Sequence, residues 1–260
     1  MSAPEPVLWH ISISHYNEKV RWALDFKRVP HRRRAVPGGL HMPIALALTR
    51  GDSYTFPILV LDGEAIGDST AIIGALERSF PEPPLYPEDP VERRRALDLE
   101  DWFDEELGAQ IRLLAFHELG KQPERLPPMM DQFLPPRARG NDTARSLAAR
   151  FASAFTNLRY GVNSEEAAER SCRAVLAALD RLEAELDGNE YLAGERFSVA
   201  DLTAAALFYP LVLPPEGPDV GDAPDAFERF REPLQERPGY QWVAGIYRGH
   251  RAPADAPVTA

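Results

Sequence analysis

Residues 55–69 read TFPILVLDGEAIGDS and contain the clearest local pattern of the chain. The run Pro57–Leu61 predicts a strand, because it is apolar and rich in β-branched residues. Asp62-Gly63 predicts a tight hairpin turn, since both residue types adopt the positive φ angles that such turns require. Glu64–Ile66 then returns as the second strand. The stretch therefore predicts an antiparallel strand pair in the first third of the chain.

Four further elements are predicted upstream of the hairpin and one downstream. The upstream elements are a strand at Val7–Ile13, a helix at Glu18–Arg28, a strand at His31–Val36 and a short helix at His41–Thr49. Downstream, Asp68-Ser69 offers side chains that satisfy free N–H groups at a helix start, so Thr70–Arg78 is predicted to be helical. In chain order the segment reads βαβαββα, which predicts an α/β domain.

A proline-rich segment separates this unit from the rest of the chain. Five prolines within Phe80–Pro90 block regular structure, so we predict a first domain at residues 1–82, a linker at 83–90 and a second domain at 91–251. Helical periodicity in the second domain covers Val91–Leu119, Thr143–Tyr160, Ser164–Leu186, Val199–Leu211 and Pro238–His250, which predicts an all-α helical bundle. Gln122–Pro136 is predicted to be a long loop near a pocket mouth, and residues 252–260 a flexible tail.

Composition and charge exclude several classes of protein. A hydrophobic share of 44% and a charged share of 27% are ordinary for a globular protein. The net charge of −11 repels nucleic acid and anionic lipid, so we expect no nucleic-acid partner. No stretch of about 20 residues is uniformly apolar, and Met1–Pro6 does not resemble a signal peptide, so we expect no membrane association and a cytoplasmic location. Cys172 has no partner for an internal disulfide, which agrees with a reducing compartment, and no metal site is predicted.

Several short motifs resemble those of the glutathione transferase superfamily. Ser14–Arg21, which reads SHYNEKVR, is similar to the family's catalytic loop entering its first helix. Thr55–Pro57 is similar to its Val-Pro segment, and Asp68-Ser69 to its acid-serine pair. Ser198–Asp201 lies at the place of the family's buried capping box. The resemblance covers residues 7–80 well and implies a thioredoxin-like first domain, a helical second domain and a homodimer.

The resemblance also implies that the catalytic loop stabilises the thiolate of glutathione. Ser14 is the first candidate, because it lies where a strand gives way to a helix N-terminus, and such an end favours an anion. Tyr16 and Asn17 are alternative donors, since phenol and amide groups both donate hydrogen bonds. An ordinary helix-start role for Ser14 is the competing interpretation. Cysteine stands at none of these positions, which excludes chemistry through an enzyme disulfide.

Five residues are expected to bind glutathione because they match the family's motifs or follow its turn: Phe56, Pro57, Asp68, Ser69 and His41. The resemblance implies a cis bond before Pro57, with which the N–H and C=O of Phe56 can pair with an extended peptide. Asp68 offers a carboxylate for an ammonium group, and Ser69 offers a hydroxyl and an N–H for a carboxylate. His41, after the Gly38-Gly39 turn, could reach the glycine carboxylate of the tripeptide, and an ordinary exposed histidine is the alternative. Plain N-capping and an edge-strand proline are the alternatives.

The second substrate is expected to lie against the helical domain. Trp102, Phe103, Arg112, Phe116 and His117 fall on or near one long predicted helix. All of these except Trp102 are predicted to line the substrate pocket, although aromatic residues there would alternatively belong to the core. Arg112 and His117 could orient an acidic or carbonyl substrate, because they place a polar group among aromatic ones.

These residues together predict a glutathione-dependent transferase. Its thiolate would attack a small electrophilic substrate by conjugation, dehalogenation or thiol-assisted isomerisation. Two alternatives stay open. One is a non-catalytic ligand-binding or protein-interaction module of the same fold. The other is that the protein uses a thiol other than glutathione. The lysines are limited to Lys19, Lys27 and Lys121, while arginine and alanine abound, as in proteins from GC-rich genomes. Some bacteria with such genomes use other thiols.

Overall fold

The computed structural model describes residues 4–221 and 223–251. The predicted tail at 252–260 and the first three residues of Met1–Pro6 lie outside the described residues. Four short strands form one mixed sheet: β1 (Val7–His10), β2 (Arg32–Ala35), β3 (Ile58–Leu61) and β4 (Glu64–Gly67). Their spatial order is β2-β1-β3-β4, with β1 parallel to β2 and antiparallel to β3.

The β3–β4 hairpin is confirmed at the predicted residues. Leu61 pairs with Glu64 across the turn, and Asp62 and Gly63 have φ angles of 51° and 86°. Both central residues therefore adopt the left-handed conformation that a two-residue hairpin turn needs.

Three helices pack on the sheet: α1 (His15–Phe26), α2 (His41–Leu48) and α3 (Ser69–Ser79). The predicted start of α1 at Glu18 is wrong by three residues. Ser14 has extended backbone angles and serves as the N-cap, so the polar residues His15 and Asn17 belong to the first turn and are buried there. Apolar periodicity misses this turn because its buried side chains are polar and hydrogen-bonded.

Beyond the segment between Ser79 and Pro90, the regular structure of the described chain is helical. Its helices are α4 (Pro90–Glu106), α5 (Gly108–Gly120), α6 (Leu126–Met129), α7 (Asp142–Tyr160), α8 (Glu165–Leu186), α9 (Val199–Val212), α10 (Asp225–Arg231) and α11 (Pro238–His250). This order confirms an α/β domain followed by a helical bundle. The domain bounds at residues 82 and 91 stay a prediction.

The prediction of one helix over Val91–Leu119 is wrong, because the helix is interrupted at Leu107, between α4 and α5. The break coincides with two contacts from α1. The Tyr16 hydroxyl donates to the Asp104 carbonyl at 2.7 Å, and the His15 ring bonds the Gly108 carbonyl at 2.8 Å. Side chains from the first domain thus bind backbone groups on both sides of the break.

The predicted long loop at Gln122–Pro136 is also corrected. It contains a 3₁₀ turn at Pro123–Arg125, the short helix α6 and a second 3₁₀ turn at Met130–Phe133. Proline suits the first turn of a helix, since that position needs no N–H donor. Leu126 and Met130 then bury their side chains with Ala149 of α7 in a small separate core.

The central helix of the bundle is α9, which packs against α1, α4 and α11. The predicted capping box at its start is confirmed. The Asp201 carboxylate accepts the backbone N–H of Ser198 and that of Leu192, both at 2.8 Å. Burial raises the pKa of Asp201 to about 6 despite these hydrogen bonds.

Candidate active site

A cavity of about 790 Å³ lies between the two domains. Its first wall contains Ser14, the loop before β3 and the start of α3, while its second wall comes from α5, α7 and the segment around α6. The second wall is mostly apolar, with Phe116, Met129, Phe133 and Phe155 among its side chains. A volume of this size and an apolar lining with few polar groups are typical of small-molecule sites.

Ser14 lies at the N-terminus of α1 and faces this cavity. Its hydroxyl oxygen accepts a hydrogen bond from the side-chain amide of Asn17 at 2.7 Å. The same amide group donates to the Phe56 carbonyl at 3.3 Å, and its oxygen accepts the Ile11 N–H at 3.1 Å. The two backbone groups fix which way the amide points. The Ser14 proton is therefore not needed by Asn17 and is free to donate into the cavity.

The backbone just before Ser14 is held by buried side chains. Arg21 donates to the carbonyls of Ile11 and Ser12 at 3.3 and 3.0 Å, and the Tyr209 hydroxyl donates to the Ile13 carbonyl at 2.6 Å. Three consecutive carbonyls are thus bound from behind the loop. Sequence reasoning missed these supports.

The support extends to the end of the described chain. Glu18 accepts a hydrogen bond from Arg21 at 2.8 Å, and its other oxygen accepts one from Arg251 at 2.6 Å. Because Glu18 and Arg251 are both buried, this contact fixes the end of α11 against α1.

Tyr16 and His15 face the helical domain. The Tyr16 hydroxyl is committed to the Asp104 carbonyl, and burial together with the nearby Asp104 carboxylate raises the pKa of Tyr16 to about 12. Burial, with a smaller contribution from the charge of Arg112, lowers the pKa of His15 to about 3. His15 is therefore neutral near pH 7, and its Nε2–H donates to the Gly108 carbonyl.

The Phe56-Pro57 bond is cis, as the resemblance implies. Both residues line the cavity. Among the described residues the Phe56 N–H has no acceptor, and its carbonyl takes only the bond from Asn17. One donor and one oxygen lone pair of Phe56 are thus available to a ligand.

Asp68 and Ser69 line the cavity at the start of α3. The Asp68 carboxylate caps the helix by accepting the Ala71 N–H at 3.0 Å, so N-capping is part of its role. The Ser69 side chain makes no hydrogen bond to any residue in the described ranges, and it is almost fully buried. The Ser69 hydroxyl and the N–H groups of the first turn form a site suited to a carboxylate.

His41 lies at the start of α2, with its ring 5.7 Å from that of Phe56, measured between centroids. Its Nδ1 accepts the Gly39 N–H at 3.0 Å, which places the proton of the neutral ring on Nε2. Burial, and then the charge of Arg159, lowers the pKa of His41. His41 therefore reaches the cavity wall as a neutral donor.

The structure divides the predicted substrate pocket. Arg112 and Phe116 line the cavity, but Phe103 and His117 do not. Phe103 is fully buried against Phe208, and the His117 ring bonds the Val162 carbonyl at 2.6 Å and Glu165 at 3.1 Å. The assignment of Phe103 and His117 to the pocket is therefore corrected, because Phe103 faces the core and His117 faces the start of α8.

Residues from α7 complete the site. The Tyr160 ring lies close to two guanidinium groups, with the Arg112 and Arg159 carbons 4.3 and 5.3 Å from its centroid. Phe155 packs edge-on against both Tyr160 and His41. Sequence reasoning missed all three α7 residues, because that helix reads as an ordinary surface helix far from the catalytic loop.

Within the described ranges, no three His, Cys, Asp or Glu side chains come together in a way that could hold a metal ion. No helix of the described chain is both long and apolar enough to span a membrane.

The chain matches two family models. Residues 8–84 match the model of the glutathione S-transferase N-terminal domain, and residues 127–238 match that of the C-terminal domain. Together these stretches cover well over half of the chain. Both domains are thus recognised independently of the site geometry.

Individual proteins are similar as well. FtsZ-localized protein A of Caulobacter vibrioides is 28% identical over 206 residues, which cover 78% of this chain and 75% of the relative. A Caenorhabditis elegans protein named "Probable maleylacetoacetate isomerase" is 33% identical over 96 residues, which cover 37% of this chain and 45% of the relative.

Solved structures share the fold. The structure of FzlA from C. crescentus has a TM-score of 0.58 at 25% identity and covers 97% of both chains. A glutathione S-transferase of Methylobacterium radiotolerans, in complex with glutathione sulfonate, has a TM-score of 0.54 at 20% identity and covers 93% of this chain and 95% of that one. With both domain models matched in order, this chain belongs to the glutathione S-transferase superfamily.

Proposed function

We propose that the protein binds glutathione in the cavity and directs its thiolate at an electrophilic carbon of a small second substrate, as a transferase or a thiol-assisted isomerase. One observation carries the assignment of Ser14 as the thiolate partner. Both protons of the Asn17 amide are engaged, and the Tyr16 proton is engaged by Asp104. Of these three candidate donors, Ser14 keeps a proton free to donate.

Ser14 and the N-terminus of α1 would act together on the sulfur. A free thiol has a pKa of about 8.5, and lowering it by about 2 requires about 2.7 kcal/mol of differential stabilisation. A hydroxyl hydrogen bond to a charged sulfur contributes about 1.5–3 kcal/mol, and the helix dipole adds to it. The thiol proton is released to solvent, and the sulfur electron pair then forms the bond to carbon. In a substitution the leaving group departs with its bonding pair, and in an addition a π bond of the substrate opens and its carbanion or enolate is protonated by solvent.

The rest of the tripeptide has complementary groups along the first wall. The backbone of Phe56 can pair with the cysteinyl residue, Ser69 can bind the γ-glutamyl carboxylate, and the unused oxygen of Asp68 can bind its ammonium group. Neutral His41 can donate to the glycine carboxylate. Binding of this kind holds the sulfur beside Ser14.

Calorimetric titration with reduced glutathione tests this proposal. We expect saturable binding to the wild-type protein that weakens about tenfold or more in Ser69→Ala, which corresponds to about 1.4 kcal/mol. Ser79→Ala is the matched control, because Ser79 is exposed at the other end of the same helix. Absence of binding heat in wild type and variants would refute the assignment of glutathione and favour another thiol.

A second titration follows the thiolate by its ultraviolet absorbance as pH is varied. In Ser14→Ala, the pKa of bound glutathione should rise by about 1–2 pH units, because one hydrogen bond to the charged sulfur is lost. An unchanged thiol pKa in this variant would show that a group other than Ser14 stabilises the thiolate.

A non-catalytic role is the second candidate function, and a surface feature favours it. Leu147, Phe151 and Leu158 lie on one face of α7 and are 62%, 53% and 89% exposed. Such a stripe is typical of a protein contact. Given the similarity to FtsZ-localized protein A, the candidate partner is FtsZ.

Co-sedimentation with FtsZ filaments tests this candidate. Binding by the wild-type protein that is lost in the double variant Leu147→Glu, Leu158→Glu would support it. Val91→Glu is the control, because Val91 is 74% exposed on α4. No co-sedimentation by the wild type would reject FtsZ as the partner.

We also propose a homodimer that acts in the cytoplasm. Membership of the glutathione S-transferase superfamily supports the dimer. A two-fold dimer is also the commonest arrangement of soluble oligomers. Light scattering at micromolar concentration should give twice the mass of the 29.0 kDa chain. A monomer mass would reject the dimer.

A further inference from the structure

Arg112 is an uncompensated cation in the wall of the cavity. It lies on α5, half-buried, and forms no ion pair with any described residue. Its Nε is shielded from solvent and has no hydrogen-bond partner. Tyr160 covers one face of the guanidinium group at 4.3 Å. Because a partly desolvated charge without a counter-ion costs stability, its presence in a cavity points to a ligand that supplies the negative charge.

The other ionisable groups of the cavity do not neutralise Arg112. Asp104 is paired with Lys19 at 2.6 Å, and Asp68 caps α3. Glu105 is exposed, so solvent screens its charge. The two nearby histidines have lowered pKa values and add no charge near pH 7. The positive charge of Arg112 is therefore available to pair with a bound anion.

A second cavity of about 110 Å³ begins at the same residue. Arg112, Ile13, His15 and Phe116 belong to the walls of both cavities. Beyond them the small cavity is lined by apolar side chains of α9, α10 and the segment between them, including Leu213, Val220 and Phe227. Arg112 thus stands between the main cavity and an apolar side pocket wide enough for a short alkyl group.

We propose that the second substrate is an apolar organic anion whose carboxylate or sulfonate binds Arg112. Its apolar body would lie against Phe116 and Tyr160, and a short alkyl end would enter the side pocket. The guanidinium group suits this role because it presents a planar set of donors to an oxyanion. The inference rests on the proposed function, because it takes this molecule to be the partner of the glutathione thiolate.

Calorimetry with matched probes tests the proposal. The probes are 4-phenylbutanoate and its neutral amide, 4-phenylbutanamide, titrated in the presence of saturating S-methylglutathione. The thioether fills the thiol site, so the acid cannot bind at Ser69 instead. We expect the acid to bind the wild-type protein at least tenfold more tightly than the amide. In Arg112→Met, which keeps an apolar stem, the two probes should bind equally and the amide should bind as in wild type.

Two further variants control the result. Arg150→Met should keep the preference for the acid, because Arg150 is exposed on α7 and lines neither cavity. Arg112→Lys keeps the charge without the planar donors, so we expect a preference for the acid between those of the wild type and Arg112→Met. This variant replaces Arg112→Met in the test if Arg112→Met does not fold. Thermal melting checks that each variant is folded.

The outcomes separate this inference from the proposed function. Equal binding of acid and amide to the wild-type protein would overturn it, as would a preference that persists in Arg112→Met. Absence of binding heat for S-methylglutathione would refute the proposed function and with it the status of the anion as a second substrate. A tenfold preference lost in Arg112→Met, together with binding of S-methylglutathione, supports both.

Discussion

The side-chain amide of Asn17 donates to the hydroxyl oxygen of Ser14 across 2.7 Å. Asn17 is completely buried, and the same amide joins the first turn of α1 to the carbonyl of Phe56 in the loop before β3. One buried side chain therefore holds both Ser14 and the backbone of Phe56, which face the cavity from two different elements. This relationship makes Asn17 a positioning residue for Ser14.

Asn17→Asp should impair glutathione binding and thiolate formation. The carboxylate would accept the Ser14 proton and would face the Phe56 carbonyl with no donor between them. We expect glutathione binding weakened about tenfold and a free energy of unfolding lower by about 1–3 kcal/mol, the usual cost of an unsatisfied buried group. Calorimetry and urea unfolding measure the two effects. The same change at exposed Asn189 should leave both unchanged, and a wild-type-like Asn17→Asp would contradict the positioning role.

Gly108→Ala should destabilise the contact between the domains. A Cβ at this position would overlap the Tyr16 hydroxyl group, so Tyr16 would have to leave the Asp104 carbonyl. We expect the free energy of unfolding to fall by about 1–3 kcal/mol. Gly120→Ala is the matched control at the other end of α5, where no atom lies within 4 Å of the added carbon. Equal urea midpoints for the two variants would contradict this explanation of the Gly108 contact.

Lys19→Met should lower stability more than any exposed lysine change. Lys19 is fully buried and pairs with Glu100 at 2.8 Å and with Asp104 at 2.6 Å, which joins α1 to α4. Its loss would leave two carboxylates without a counter-charge, at a cost of about 3–5 kcal/mol. Adding Glu100→Gln and Asp104→Asn should restore part of that loss.

The control for this ion cluster is Lys121→Met. Lys121 pairs with Glu118 at 3.1 Å at an exposed site. Its removal should cost less than about 1 kcal/mol, because solvent screens surface pairs. Similar unfolding midpoints for the Lys19 and Lys121 variants would contradict the structural importance of the buried cluster.

Stability should fall at mildly acid pH. Burial, aided by neighbouring arginine charges, lowers the pKa values of His10 and His15 from 6.5 to about 3. Below pH 6.5 the unfolded chain therefore binds protons that the folded chain does not. The free energy of unfolding should decrease by about 1.4 kcal/mol per pH unit for each histidine between pH 6.5 and 3.

Urea unfolding at several pH values measures this dependence. His15→Gln keeps a side chain that can donate to Gly108 but cannot be protonated. Its free energy of unfolding should fall less steeply with decreasing pH, by the equivalent of one proton. An identical slope in the wild-type protein and this variant would show that His15 is protonated in the folded state.

Features that depend on a few neighbouring residues are predictable from the local sequence. Asp62-Gly63 predicts its hairpin because the turn requires positive φ at both positions, and Asp68-Ser69 predicts the start of α3 because the capping group lies three residues from its donor. The position of Ser14 between a strand and a helix is local in the same way. Such rules operate within about one turn of the chain.

Long-range packing determines which residues share the cavity. Phe103 and Phe116 lie on different faces of the predicted helix, and packing buries the first in the core and brings the second to the cavity. Tyr209 reaches the Ile13 carbonyl across 196 positions of sequence. Helical periodicity predicts which face of a helix a residue occupies, but it does not predict which other residues pack against that face. Partners so distant are chosen by the packing of the whole chain, since close-packed interiors accept only side chains whose shapes and hydrogen bonds fit together.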